Sequence, residues 1–168
     1  MLATTADLYD AHPETVQVCE LQFRSFGKRK RFHGRCVPIR THENHLPVLE
    51  TLCADGRGRV LVVDGGGSLR VGLLGDRIAG MAAKNGWAGI VVYGAIRDSV
   101  AVDQLDIGVK ALGATARRGW EKTGEPAQGP VEFGSVRFPA DAWVYADEDS
   151  VLLSTDELDA NAPAVSEA

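Results

Sequence analysis

Cysteine is scarce and poorly placed for cross-linking. Cys19, Cys36 and Cys53 are three in 168 residues, odd in number and without a CxxC pair. That pattern argues against a disulfide framework and a zinc site and leaves reduced, buried thiols as the expectation. No apolar run approaches the ~18 residues that cross a bilayer. The first residues, Met1 to Asp7, also lack the basic start and apolar stretch of a secretory signal, so a soluble, cytoplasmic protein is expected. Basic charge is in deficit, with a net charge of −5 and a pI near 5.3. Asp156, Glu157, Asp159 and Glu167 account for four of those charges, so the body of the chain is nearly neutral. Direct nucleic-acid binding is not expected of such a surface. The triple glycine Gly65-Gly66-Gly67 fails as GxGxxG because Arg70 stands at the last glycine position, and no GxxxxGK[ST] or GxSxG occurs. Nucleotide binding and a serine-nucleophile elbow therefore lack support.

What is present suits one folded domain, with 45% apolar and 24% charged residues. A helix is expected over Thr5 to Glu14, a strand over Val16 to Phe23, and a short strand at Cys36 to Ile39, where Pro38 favours an edge. Leu46, Leu49, Leu52 and Cys53 recur at helical spacing within Glu43 to Cys53. The middle of the chain is the most legible part. Val60 to Val63 and Gly89 to Tyr93 are continuous apolar strands. Between them Asp76 to Asn85 has Ile78, Met81, Ala82 and Asn85 on one helical face, with Gly86 as its stop. Buried apolar strands joined through a helix indicate a βαβ unit with parallel strands. Val109 to Leu112 is a candidate third strand, Leu69 to Leu73 is ambiguous, and Thr115 to Pro130 reads as a long surface loop. Short strands at 131–133, 136–138, 143–146 and 151–153 read as antiparallel hairpins. The expected fold is α/β: a single domain over 1–154, with a parallel βαβ core and an additional β-rich layer, followed by an acidic disordered tail over 155–168.

Ligands of open α/β sheets bind beyond the carboxyl ends of the strands. Asp64 to Gly67, the pair Arg97-Asp98, and Gly75-Asp76 at the start of the intervening helix should meet there. Backbone N–H groups at a helix start attract an anion, and Gly75 removes a side chain from the approach. Arg97 offers a fork for a carboxylate. Asp98 is a hard oxygen ligand for magnesium or manganese, and Asp76 could orient a water or accept a proton. Each also has a plainer reading: Arg97-Asp98 as a surface ion pair, Asp76 as a helix cap. His42-Glu43-Asn44-His45 is one residue short of HExxH, Lys28 to Arg31 reads as a solvated loop or a partner contact, and Trp87, Trp120 and Trp143 read as core or interface residues.

The run Gly72-x-Leu74-Gly75-Asp76, then twenty residues, then Arg97-Asp98 resembles the GxLGDx20RD pattern of the 4-hydroxy-4-methyl-2-oxoglutarate aldolase family, which also contains the RraA-like regulators of ribonuclease E activity. Arg57 through Leu69, Val92 through Arg97, Leu105 to Gly108, Tyr145-Ala146-Asp147 and Val151 to Ser154 fit the same family, so the resemblance spans roughly residues 5 to 154. It implies a swivelling β/β/α-type fold in a ring-shaped homotrimer with sites near subunit boundaries. It also implies a divalent-metal (Mg2+ or Mn2+) pyruvate aldolase, acting on a small α-keto acid, that decarboxylates oxaloacetate. Carried over by motif position, Asp98 would hold the metal, Arg97 would bind substrate, and the backbone of Gly75, Asp76, Arg77 and Ile78 would cradle its carboxylate end. Asp76 and Arg97 would be the catalytic pair. The alternative within the family is a non-catalytic protein that binds and inhibits ribonuclease E. This chain departs from such relatives at Gly27-Lys28-Arg29, in place of a GGR turn, and at His42 to His45, in place of a FEDN-like segment.

Overall fold

The computed structural model of the chain describes residues 2–161, with only the backbone described at 120–125. Among the described residues four helices and eleven strands follow in the order α1 (Thr5–Ala11), β1 (Val16–Val18), β2 (Arg24–Phe26), β3 (Phe32–Asn44), α2 (Leu46–Leu52), β4 (Val60–Asp64), α3 (Asp76–Lys84), β5 (Gly89–Ile96), α4 (Ser99–Val102), β6 (Gly108–Ala114), β7 (Trp120–Gln128), β8 (Val131–Phe133), β9 (Val136–Phe138), β10 (Trp143–Ala146) and β11 (Val151–Ser154). The large mixed sheet runs β1-β11-β10-β3-β4-β5-β6-β2, with β7 added beside β3 and β8-β9 forming a separate ribbon. Strands β3, β4, β5 and β6 are mutually parallel. The α/β reading, with a βαβ core and a further β layer, is therefore the architecture found.

Alternation along the central strands explains the layering. Leu61, Val63, Ile90 and Val92 turn to one face, where Val48 and Leu52 of α2, Ala79 and Ala82 of α3, and Val102 of α4 cover them. Val60, Val62 and Val91 turn to the other, against Val131, Phe133, Val136, Phe138 and Val144. Strands covered on both sides need apolar residues at every position, which is why Val60 to Val63 shows no polar alternation. Each fully buried side chain of this size contributes about 1.5–3 kcal/mol. A closer fit occurs at Phe32: a Cβ at Gly89 or Gly108, paired neighbours on β5 and β6, would lie 2.2 Å or 2.1 Å from its ring.

Several expectations are corrected. Strand β3 has thirteen residues rather than four, with Pro38 in its interior. Pro38 is tolerated because β10 pairs only up to Arg35 and β7 begins at Ile39, so it lies at the changeover between partners, where no ladder needs its missing N–H. Glu43 belongs to this strand, so the second helix begins at Leu46. The segment expected as a surface loop contains β7, antiparallel to the second half of β3. Val16 to Phe23 forms strand only to Val18, and α1 ends at Ala11. Leu69 to Leu73 forms no strand, only isolated bridges from Gly72 to Ala95 and Arg118. Cys19 and Cys36 are buried, and burial pushes the Cys36 thiol up to about 12. Cys53 is exposed, contrary to expectation.

The basic quartet is more engaged than a solvated loop: Arg29 pairs with Asp106 and Arg31 with Glu148. Trp87 is buried and donates from Nε1 to the Ala54 carbonyl, Trp143 stacks near Tyr145 and His33, and the Trp120 side chain is outside the described residues. The start of the expected tail is docked: Leu158 and Ala160 are buried, with Leu158 N–H donating to the Tyr145 hydroxyl and Ala3 N–H to the Ala160 carbonyl. The remainder, 162–168, lies outside the described residues. Among the described residues no helix is long and apolar enough to cross a membrane.

A polar node locks the layers at one end. Asp147, buried after β10, accepts from the Thr5 N–H at 2.6 Å and hydroxyl at 2.8 Å, and from the Asp149 and Ser150 N–H groups. Its backbone carbonyl accepts from the buried Lys110 Nζ, which also donates to Ser25 Oγ at 2.9 Å. Helix α1, β2, β6 and the β10–β11 turn are thus joined through one acid and one amine.

Candidate active site

Strand β4 ends at Asp64 opposite Tyr93, while β5 continues to Ile96. The place beside the last residues of β5 is filled by Gly72 to Leu74. Leu73 N–H donates to the Ala95 carbonyl at 2.9 Å and Arg97 N–H to the Leu74 carbonyl at 2.8 Å. This strip leads directly into Gly75 and α3, so the helix start lies against Arg97-Asp98. Gly72, Leu73, Leu74, Gly75, Asp76, Arg77, Ile78, Arg97 and Asp98 line one cavity of about 490 Å³, together with His45, Leu49, Met81 and Arg118. The six residues carried over from the motif, Gly75, Asp76, Arg77, Ile78, Arg97 and Asp98, are therefore brought together.

The local geometry follows from small residues and one unusual backbone. Asp98 adopts φ 55°, ψ 38°, in the left-handed region. A Cβ on Gly75 would lie 2.7 Å from Asp98 Oδ2, so the glycine makes room for that carboxylate. A Cβ on Gly72 would come within 3.0 Å of the Arg97 backbone nitrogen, Cβ and Cγ, so Arg97 lies across a second glycine. Arg97 Nε stands 3.6 Å from Asp98 Oδ2, a charge contact too long for a hydrogen bond. It is buried without a hydrogen-bond partner. A buried guanidinium nitrogen in this condition carries a desolvation cost. At α3, Gly75 supplies no side-chain cap, and Asp76 Oδ1 accepts from the Arg77 N–H at 2.8 Å.

The donor set limits the metals that could bind. Among the described residues no group of three His, Cys, Asp or Glu could hold an ion. The carboxylates in the cavity lining are those of Asp76 and Asp98, hard oxygen donors without a histidine or thiolate set, which suit a cation that keeps most of its waters and fit magnesium or manganese rather than zinc.

The triple glycine does not join the site. Asp64 pairs with Arg40 at 3.4 Å and accepts from Gly66 N–H, and Gly65 and Gly67 N–H groups donate to the Tyr93 carbonyl. The turn is thereby held beside Tyr93, and Gly72 to Leu74 takes the position expected for it. Residues that sequence reasoning missed come from long-range packing. His45 precedes α2, and its Nδ1 donates to the Gly119 carbonyl. Arg118 is brought in by the Gly72–Arg118 bridge and by Gly72 N–H donating to Arg117 O at 2.8 Å. Leu49 and Met81 carry helical periodicity and read only as core; no local signal marks Arg118.

Comparison with known proteins gives a consistent set of relatives. The family profile RraA-like, Aldolase/RraA, matches residues 5–153. A protein of Ectopseudomonas mendocina named "Putative 4-hydroxy-4-methyl-2-oxoglutarate aldolase" is 48% identical over 154 residues, covering 92% of this chain and 95% of that protein. A Geobacillus kaustophilus structure described as an S-adenosylmethionine:2-dimethylmenaquinone methyltransferase superposes with TM-score 0.90 at 41% identity, over 96% of this chain and 100% of the other. The RNA-processing inhibitor RraA from Thermus thermophilis superposes with TM-score 0.89 at 39% identity, over 96% of this chain and 98% of that one.

Proposed function

The chain belongs to the RraA-like family, Aldolase/RraA, and from that premise we propose that it is a divalent-metal-dependent carbon–carbon lyase that forms pyruvate. Its substrates are 4-hydroxy-4-methyl-2-oxoglutarate, by aldol cleavage, and oxaloacetate, by decarboxylation. The observation that carries the reading is one cavity lined by Arg97, whose Nε is buried without a hydrogen-bond partner, together with Asp98 and the start of α3. The aldolase names of the relatives support the same class of chemistry.

Asp98 would hold the magnesium or manganese ion, which when bound supplies Lewis-acid stabilisation of developing negative charge. The backbone from Gly75 to Ile78 orients the carboxylate of the 2-oxo acid. Arg97 binds the 2-oxo oxygen and stabilises the charge that gathers there as the C3–C4 bond breaks. In the aldol case the electrons of that bond pass to C3, giving pyruvate enolate, while the C4 hydroxyl proton leaves and C4 becomes a carbonyl. Asp76 accepts that proton through a held water. Oxaloacetate loses carbon dioxide to the same enolate and needs no such base.

The test is pyruvate release from each substrate with magnesium or with a chelator, beside Arg97→Ala, Asp98→Ala and a metal-only blank. Metal-dependent turnover lost in both variants supports the lyase; no turnover above the blank overturns it. Binding and inhibition of a ribonuclease E-type enzyme is the second reading, favoured by the superposition on the RNA-processing inhibitor. Capture of ribonuclease E equally by the parent and Asp98→Ala would favour it. A homotrimer belongs to the same proposal, supported by Val100 and Leu69, exposed apolar side chains close in sequence to the site. Sedimentation mass decides it.

A further inference from the structure

Glu43 is a buried acid that the lyase reading leaves without a task. It lies near the end of β3 at a shift in the pairing with β7, between His42 opposite Thr123 and Asn44 opposite Trp120. Its backbone is in the left-handed region, at φ 50°, which residues with a side chain seldom adopt. Irregularities of this kind re-aim a side chain and recur beside active sites. Here the carboxylate meets the segment that leads from the triple glycine to Gly72. Glu43 Oε1 accepts from the Ser68 hydroxyl at 2.8 Å and lies 2.9 Å from Arg70 Nε, while Oε2 accepts from Arg70 Nη2 at 3.1 Å. The Arg70 N–H donates in turn to Ser68 Oγ at 3.2 Å.

This fork sits two residues before Gly72, the glycine that Arg97 lies across. A Cβ on Gly72 would come within 3.0 Å of the Arg97 nitrogen, Cβ and Cγ, so a displacement of Gly72 is passed to Arg97. Gly72 N–H donates to the Arg117 carbonyl, and Glu43 packs against that neighbour too: its own carbonyl would lie 2.8 Å from a Cβ on Gly119. Glu43 therefore touches the chain on both sides of Gly72. Stability does not account for the arrangement. The Arg70 side chain is 65% exposed, and an ion pair with so exposed an arginine adds little to a fold, whereas a left-handed backbone at a glutamate costs it.

We propose that Glu43 is a positioning residue for the lyase site: through Ser68 and Arg70 it fixes Gly72, and through Gly72 it fixes Arg97 at the cavity wall. Glu43 is not among the residues lining that cavity, so it acts through Arg97 and not on the substrate. The assignment rests on the lyase reading for the task of Arg97, which there binds the 2-oxo acid. Loss of the fork should accordingly weaken ligand binding only while Arg97 is present.

The probe is 2-oxobutanoate, a 2-oxo acid with no bond for the enzyme to cleave, titrated in magnesium and followed by NMR. Glu43→Gln and Arg70→Met should each lose about 10-fold in affinity, the scale of one charge-assisted hydrogen bond. In an Arg97→Ala background neither should cost more than about twofold, because the group they position is gone. Glu43→Gly covers the case in which glutamine does not fold at this backbone, since glycine adopts φ 50° freely, and it should lose as much as Glu43→Gln. Arg70→Met should melt at the parent temperature, and kcat/KM for oxaloacetate should fall in the single variants by about the same factor as affinity. Parent-like affinity in Glu43→Gln and Arg70→Met, or equal losses with and without Arg97, overturns the assignment; equal losses together with lowered melting temperatures would mark Glu43 as a part of the fold only. A parent whose binding shows this dependence on Arg97 but that releases no pyruvate refutes the lyase reading alone. A parent that releases pyruvate, with losses indifferent to Arg97, refutes only the role of Glu43.

Discussion

Replacing Gly75 with alanine separates the site from the fold. At φ −128° and ψ −174° the backbone there is extended and suits alanine as well as glycine. The new Cβ would stand 2.7 Å from Asp98 Oδ2 and 3.4 Å from Arg97 Cγ, with Asp98 Cγ at 3.8 Å. The one severe clash is with the tip of a side chain that is 39% exposed and can swing away. Restoring ordinary contact requires Oδ2 to move by about 0.7 Å. That is several times the ~0.2 Å tolerance of a metal–oxygen bond. Misplacement of reacting groups by ~1 Å costs about 100-fold in rate, so Gly75→Ala should lower kcat/KM for oxaloacetate by roughly 10- to 100-fold, or about 1.4–2.7 kcal/mol. The fold should be unharmed or gain ~0.4–1 kcal/mol from the reduced entropy of the unfolded chain. Magnesium-dependent pyruvate release and thermal melting, run side by side, check both halves. Parent-like kcat/KM with an unchanged melting temperature would refute the placement of Asp98 at the reaction. Gly72→Ala is the contrast: its Cβ meets the Arg97 backbone nitrogen at 3.0 Å, so activity and stability should fall together.

Three further outcomes follow from the packing. Burial raises the Asp147 carboxyl, but the Thr5, Asp149 and Ser150 hydrogen bonds outweigh it and hold it below the ordinary carboxylate value. Its stabilising contribution is thus complete above the unfolded-state value and lost as pH falls through the folded one. Melting temperature should decline on the acid side of about pH 4, and Asp147→Asn should flatten that decline while costing about 1.5–3 kcal/mol at pH 7. Gly89→Ala should cost at least ~1–3 kcal/mol in urea denaturation, because its Cβ would lie 2.2 Å from the Phe32 ring. Leu61→Ala, in the layer between the sheet and its helices, should cost ~2–5 kcal/mol, measured the same way.

The central strands and α3 were legible because their signals are local. Val60 to Val63 and Gly89 to Tyr93 are apolar at every position, a pattern that burial on both faces of a parallel sheet demands. Gly75, Asp76 and Arg97-Asp98 were placed together by the rule that strand ends and the next helix start share one crevice, and the cavity gathers them. Residues 120–128 were read as loop, since Thr123, Gly124, Glu125 and Pro126 have no strand alternation; pairing with β3 overrides that weak propensity.

Sequence by itself determined the βαβ core, its layers and the two ends of the GxLGDx20RD motif, because each depends on periodicity or spacing within a few turns of chain. Only tertiary structure decided which loop fills the place beside the end of β5. It chose Gly72 to Leu74 over the triple glycine because β4 stops opposite Tyr93 and leaves the Ala95 carbonyl and the Arg97 N–H to be satisfied. It also decided that His45 and Arg118, 73 positions apart, line the same cavity. That meeting is made by backbone hydrogen bonds to Gly72 and by the His45–Gly119 contact. The backbone bonds join any residue types brought into register, and the His45 contact is to a backbone carbonyl 74 positions away, so neither leaves a local pattern of side chains to read.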